Sequence, residues 1–228
     1  MRALSRCLWI GCSPLVLCLT GCSVLAPFYF VAVMLGMDNR IPPRFQFPDG
    51  PHRILVVTTS DLGTQVDVGH IERELNEKVA RLLFERLSAE RKFKGIQVIK
   101  ASKLARWQDE HPDWHGKSPA EIGRALEADY VIFVEIDNFT LFEDGANRQL
   151  LQAKAEVSVS VVRVEGEGGE VVFPRDTFNF EFPKGRSIHI SDITPNRFRR
   201  EMLQRLAEQI VWYFVPHEFG EGFGRDPM

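Results

Sequence analysis

Beyond Cys22 the chain has no cysteine: all four, Cys7, Cys12, Cys18 and Cys22, fall within the first 22 of its 228 residues. A disulfide-stapled secreted domain and a cysteine-ligated zinc site are thereby excluded for the rest. A surplus of positive charge is missing too. Lys and Arg number 28 against 31 Asp and Glu, a formal net charge of −3, which leaves no electrostatic footprint for nucleic acid. There is no Gly-x-Ser-x-Gly elbow, no His-Glu-x-x-His helix and no internal repeat. At 44% hydrophobic and 26% charged, the composition excludes disorder, collagen and a multi-span membrane protein. The length suits one domain with appendages.

The N-terminus reads as an export signal. Arg2 and Arg6 form a short positive region, and Leu8 to Leu19 form an apolar one. Leu19-Thr20-Gly21-Cys22 then closes residues 1–21 as a signal peptide. From Cys7 to Met37 there is no charged residue, so an uncleaved membrane anchor is the alternative. As one helix this run would span about 46 Å at 1.5 Å per residue, well beyond a hydrocarbon core of about 30 Å. Pro14 and Pro27 also interrupt it. Val24 to Met37 stays apolar, with Phe28, Tyr29 and Phe30 together, and suits the membrane interface or packing against the domain. Residues 22–52, with Pro42 and Pro43, read as an apolar segment and Pro-rich linker, residues 53–216 as the domain, and residues 217–228 as a disordered tail. Losing Arg2 and Arg6 with the signal shifts the net charge from −3 to −5.

The order of elements predicts an α/β domain. Ile54 to Thr59 is a β-branched run of the kind buried on both faces. Asp67 caps a helix whose Ile71, Leu75, Val79, Leu82 and Leu83 share one face. Ile96 to Ile99 is a second strand, parallel to the first. Ser102 opens a short helix that stops before Pro112. Ser118-Pro119-Ala120-Glu121 is a capping box ahead of another, with Ile122, Ala125 and Leu126 facing inward. A third strand begins at Tyr130. Ala153 to Val161 and Phe178 to Phe182 then alternate apolar with polar, so strands three to five should form an antiparallel meander with one wet face. Thr194-Pro195 starts a last helix burying Phe198, Met202, Leu206, Ile210 and Phe214. The expected fold is a mixed five-stranded sheet in the order β-α-β-α-α-β-β-β-α, with helices mainly on one face.

Two resemblances follow from these residues. Leu19-Thr20-Gly21-Cys22 resembles the bacterial lipobox, which implies that Cys22 receives diacylglycerol and becomes the first residue of the mature chain. Glu121-Ile122-Gly123-Arg124-Ala125-Leu126-Glu127-Ala128-Asp129-Tyr130-Val131-Ile132 looks like the helix-then-strand segment of an envelope superfamily. That superfamily includes the curli-secretion lipoprotein, outer-membrane activators of penicillin-binding proteins and the N-terminal domain of the Tol translocation protein. The chain also resembles small planctomycete-type lipoproteins that carry a His111-Pro112-Asp113-Trp114-His115 segment. The implied role is non-catalytic protein–protein work in the envelope, with the membrane, through Cys22, and another envelope protein as partners. Ser23, where an inner-membrane lipoprotein often has aspartate, points by analogy to the outer membrane facing the periplasm.

Residues that carry chemistry are few. His111 and His115, with Asp109, Glu110 and Asp113 nearby, have the donor types for a divalent metal, but Pro112 breaks the helix that would align them. A helix stop with Trp114 packed beneath it is the plainer reading, and neither a metal nor a cofactor is expected. A metal-dependent enzyme centred on the two histidines is the lesser alternative. Ser60-Asp61 follows the first strand, where α/β sheets place ligand loops, yet with Gly63 it lacks the glycines of a phosphate cradle. Arg197, Arg199, Arg200 and Arg205 are matched by Asp192, Glu201 and Glu208, as on a solvated helix face. Ser158 and Ser160 between valines also fit a membrane hairpin, so an oligomeric secretion pore is an alternative function.

Overall fold

The computed structural model describes residues 40–60, 68–90, 95–143 and 145–218. The signal, Cys22, the apolar stretch to Met37, Asp61, Gly63, Asp67 and the tail beyond residue 218 lie outside the described residues. Among the described residues, no helix is long and apolar enough to cross a membrane.

The domain is built on a mixed sheet. Its strands are β1 (Arg53–Ser60), β2 (Gln97–Val98), β3 (Tyr130–Phe142), β4 (Leu150–Arg163), β5 (Glu170–Phe182) and the short β6 (Ile188–His189). They lie in the order β2-β1-β3-β4-β5, and β6 pairs with the start of β4. β1 runs parallel to β2 and to β3, from Ile54 opposite Tyr130 to Ser60 opposite Ile136. β3, β4 and β5 form the expected antiparallel meander.

Helices α1 (Val68–Ala89), α2 (Ala101–Glu110), α3 (Pro119–Ala125) and α4 (Pro195–Val211) complete the fold. The side-chain period of a strand assigns them. Ile54 and Val56 of β1 join the core beneath the two long helices, with Leu75, Val79 and Leu83 of α1 and Met202, Leu206 and Ile210 of α4. Leu55 and Val57 face the other way, into a smaller core with Leu104 of α2, Trp114, Ile122 of α3 and Val131. The long helices thus share one face, and the short ones cover the opposite face only at its parallel end.

Ala153, Ala155, Val157, Val159 and Val161 of β4 all point into the larger core. Their alternation is accounted for by the helix layer above them. The other face of the meander is wet, as expected: Arg175 reaches from β5 to Glu135 and Asp137 of β3, at 3.4 and 3.0 Å. Two polar residues of β4 are buried on that face: Ser158, bonded to Thr177 at 2.8 Å, and Gln152, which donates to Glu181 at 2.7 Å.

Local expectations met mixed outcomes. Ser118 and Glu121 form the capping box, and Thr194 caps α4 by accepting from the Arg197 amide. Ser102 caps nothing: α2 starts one residue earlier, with Lys100 at the cap position and no side-chain bond there. Ala125 is exposed, and Ala120 and Gly123 turn inward instead, because Ile122 sets the buried side of a helix of only seven residues. Phe214 is fully buried but lies past the end of α4.

The packed chain also begins earlier than Arg53. Phe47, assigned to the linker, is 3% exposed, edge-on to Tyr130 at 5.5 Å and stacked with Phe214 at 5.9 Å. Phe45 donates its amide to the Tyr213 carbonyl at 2.9 Å. Two prolines mark extended chain, but they do not say whether the next aromatics find a pocket.

The segment that resembles the envelope superfamily is a tight junction. At the end of α3 the amide of Glu127 bonds to Arg124 O and that of Ala128 to Gly123 O, a Schellman stop with Glu127 at φ 57°. Asp129 then accepts the Arg53 amide on Oδ2 at 2.7 Å and donates its own amide to Arg53 O at 2.8 Å, aligning β1 with β3. A Cβ on Gly123 would stand 2.6 Å from side-chain carbons of both Val131 and Val164, so only glycine lets α3 approach the sheet this closely.

Two stability predictions follow from this packing. Gly123→Ala should cost about 1–3 kcal/mol in chemical denaturation, the usual penalty for overpacking. Phe47→Ala should cost about 3 kcal/mol, as for a core phenylalanine; a change within 0.5 kcal/mol would return residues 45–47 to the linker.

Candidate functional site

A groove of about 700 Å³ lies between α1 and α2, lined at its base by Thr58 of β1 and by Val98 and Ile99 at the edge of the sheet. The topology produces it. α1 and α2 belong to opposite faces, and the strand between them, β2, is two residues long. The helices therefore approach each other past a short sheet edge, where parallel α/β sheets commonly hold ligands near the carboxyl ends of their strands.

The walls are mainly apolar: Ala80 and Phe84 from α1, Ala101 and Ala105 from α2, and Trp114. Phe84 is 53% exposed, an uncommon position for a large aromatic on a helix that buries Ile71, Leu75, Val79, Leu83 and Leu87. The rim is charged and balanced, with Arg73, Arg81 and Lys100 against Glu72, Glu77 and Asp109. One pair, Arg73 with Asp109 at 2.9 Å, ties α1 to α2 across the groove. Ser60 donates to Glu72, fixing the end of β1 to the first turns of α1.

Two polar atoms in the groove have no partner. Thr58 Oγ1 and Asn76 Oδ1 are buried without a hydrogen bond, in residues 2% and 6% exposed. Such groups normally find partners, because an unpaired one costs about 1–3 kcal/mol. Asn76 lies on the buried side of α1, beside Leu75 and one turn from Ala80.

The histidines singled out from sequence are not brought together as a ligand set. His111 ends α2 with its ring stacked on Trp107 at 4.6 Å and Nδ1 2.8 Å from the Trp107 carbonyl. The His115 ring lies 3.8 Å from that of Trp114, the buried residue beneath the expected helix stop. Asp109 is held by Arg73 and Asp113 by Lys117, the latter at 2.8 Å. Among the described residues no three His, Asp or Glu side chains form a group that fits a metal ion.

Pairing also accounts for three of the four arginines of α4. Arg197 meets Glu201 at 2.9 Å, Arg205 meets Glu208 at 3.0 Å, and Arg199 reaches Glu74 of α1 at 2.8 Å. Asp192 does not share in this; it accepts from Ser191. Most titration shifts arise at the surface. The Lys117 ammonium holds the Asp113 carboxyl below its usual range, and bonds from Ser118 do the same for Glu121. Burial raises the Tyr213 phenol, opposed by the nearby Arg44 guanidinium.

Sequence reasoning missed Thr58, Asn76 and Phe84. The signals were present but small: a polar residue inside the apolar stripe of α1, a threonine ending an apolar strand, and a phenylalanine off the stripe.

No family model matches the sequence, and no curated protein matches it. Solved structures with a similar arrangement include the lipoprotein GNA1162 from Neisseria meningitidis, at 14% identity and a TM-score of 0.42, covering 70% of this chain and 98% of that one. The PelC dodecamer from Paraburkholderia phytofirmans gives 13% identity and a TM-score of 0.39, covering 76% and 93%. A minor lipoprotein from Acinetobacter baumannii gives 11% identity and a TM-score of 0.31, covering 72% and 90%. These are distant likenesses, and nothing about the groove is taken from them.

The orphaned atoms yield a stability prediction. Thr58→Val keeps the shape and removes a buried hydroxyl without a partner, so it should leave stability unchanged or raise it by about 1 kcal/mol. A loss above about 1 kcal/mol in thermal or chemical unfolding would show that the hydroxyl is satisfied in solution.

Proposed function

We propose that this chain is a bacterial envelope lipoprotein, tethered to the outer membrane through diacylglycerol on Cys22, whose periplasmic α/β domain binds another envelope protein without catalysis. The observation that carries the reading is Leu19-Thr20-Gly21-Cys22 at the end of a charged and then apolar leader. Several buried acyl chains at about 0.8 kcal/mol per methylene give stable anchoring, which a single chain does not.

The described residues support the binding half. Active sites gather titratable groups whose ionisation is shifted inside a cleft. Here Asp113, Glu121, Glu127 and Arg163, whose ionisation is shifted, sit in pairs or caps at the surface. None of them lines the groove.

Intact mass of the membrane-extracted protein tests the anchor, with wild type beside Cys22→Ser. Wild type should begin at Cys22 and carry acyl chains, while the variant retains its first 21 residues. An unmodified full-length mass for both would replace the lipoprotein by a single-span anchor. Turnover of peptidoglycan fragments or phospholipids by purified protein would remove the non-catalytic half.

A further inference from the structure

We propose that the basic pocket where the start of β1 meets the start of α2 is an anion site that takes a phosphate monoester group, carried by a soluble molecule or by a phospholipid headgroup. This goes beyond the binding role proposed above and rests on neither the lipid anchor nor the groove between α1 and α2.

The pocket holds about 250 Å³, and its polar lining is Arg53, Gln97, Lys100, Ser102, Lys103 and Arg106. Among the described residues no Asp or Glu lines it. The sequence carries the same bias. Residues 91–108 contain six Lys and Arg and no Asp or Glu, in a chain whose acids outnumber its bases. Lys100, Ser102, Lys103 and Arg106 are all exposed, so a ligand from solution reaches them directly.

Local forces work against this arrangement. Lys100, Lys103 and Arg106 recur every three residues, so they share one face of the first turns of α2 and repel one another. They also stand at the end of the helix where the aligned peptide dipoles disfavour positive charge. Arg53 adds a fourth cation. It and Lys103 both donate to the Leu126 carbonyl, at 3.5 and 3.3 Å, so two positive ends meet at one oxygen. Glu127 answers Arg53 at 2.9 Å, but Lys100, Lys103 and Arg106 form no ion pair among the described residues. On α4, by contrast, three arginines each meet a carboxylate. A bound anion supplies the missing countercharge.

Size and charge identify its class. The pocket is smaller than the roughly 300–1,000 Å³ of drug-sized sites, so it suits one compact group. A phosphate monoester carries a charge of about −1.5 to −2 at pH 7 and three strong acceptor oxygens. A carboxylate has a single charge and two oxygens, and would leave most of the three unpaired cations uncompensated. Arg106 brings a planar fork suited to two phosphate oxygens, Lys100 and Lys103 bring point charges, and Ser102 and Gln97 add neutral donors.

The test uses the full-length protein in phosphatidylcholine nanodiscs at constant ionic strength. One arm adds inorganic phosphate or glycerol 3-phosphate, with acetate as the carboxylate comparison. The other replaces part of the phosphatidylcholine by phosphatidic acid. A ligand that binds the folded state raises the melting temperature. A rise with the soluble probes, or with phosphatidic acid alone, supports the site and tells the two sources apart.

Lys100→Gln and Arg106→Gln should each weaken binding about tenfold, the usual loss for a hydrogen bond to a charged group. Each also relieves repulsion, so the ligand-free melting temperature should hold or rise. Lys154→Gln removes the same charge from an exposed position on β4 and should leave binding as in wild type. The proposal is overturned if neither arm raises the wild-type melting temperature, or if acetate matches phosphate. It is also overturned if Lys154→Gln weakens binding as much as the pocket variants, or if those variants lower the ligand-free melting temperature. Each of these outcomes leaves the acylation of Cys22 and the absence of turnover to stand or fall on their own tests.

Discussion

The structure depends on a central strand that must be covered twice. Residues 54–57 are apolar at every position, so β1 cannot leave either face in water. The even residues draw α1 and α4 onto one face, and the odd residues draw α2 and α3 onto the other. The meander needs only one cover, because its strands alternate, and its second face is stabilised by hydroxyl contacts and by the Arg175 ion pairs. Two-sided cover at one end and one-sided cover at the other are therefore consequences of side-chain period.

The same constraint explains where space is left. Covering both faces at a sheet edge requires helices to pass on either side of it, and the edge here is a strand of two residues. A longer edge strand would fill the interval between α1 and α2. With a short one, the helices frame an open groove, and Thr58 and Asn76 end up buried at its base without partners. Local rules are satisfied elsewhere in the domain by caps, a Schellman stop and paired surface charges.

The proposed export and anchoring impose little on the folded part. Covalent lipid on Cys22, as proposed, would hold the chain at a membrane without a hydrophobic belt on the domain. Among the described residues the exposed large apolar side chains are scattered along the chain: Ile41, Phe84, Val171 and Ile190. Of these, Phe84 lines the groove.

Much of the architecture was legible in the residues themselves because it rests on short-range periodicity. The apolar run of β1, the alternation in β4 and β5, the Ser118 and Thr194 caps, and the stripes of α1 and α4 are each set by neighbours a few positions away. The reach of Phe47 into the core, the glycine needed at position 123 and the ion pair from Arg199 to Glu74 involve residues far apart in the chain. The groove is of the same kind. Asn76 and Thr58 read as a mild irregularity in a helix and a strand until the short edge strand brings α1 and α2 together around them. Period and composition decide which face each residue takes. Which faces meet, and what remains unpaired between them, is decided only when the whole chain packs.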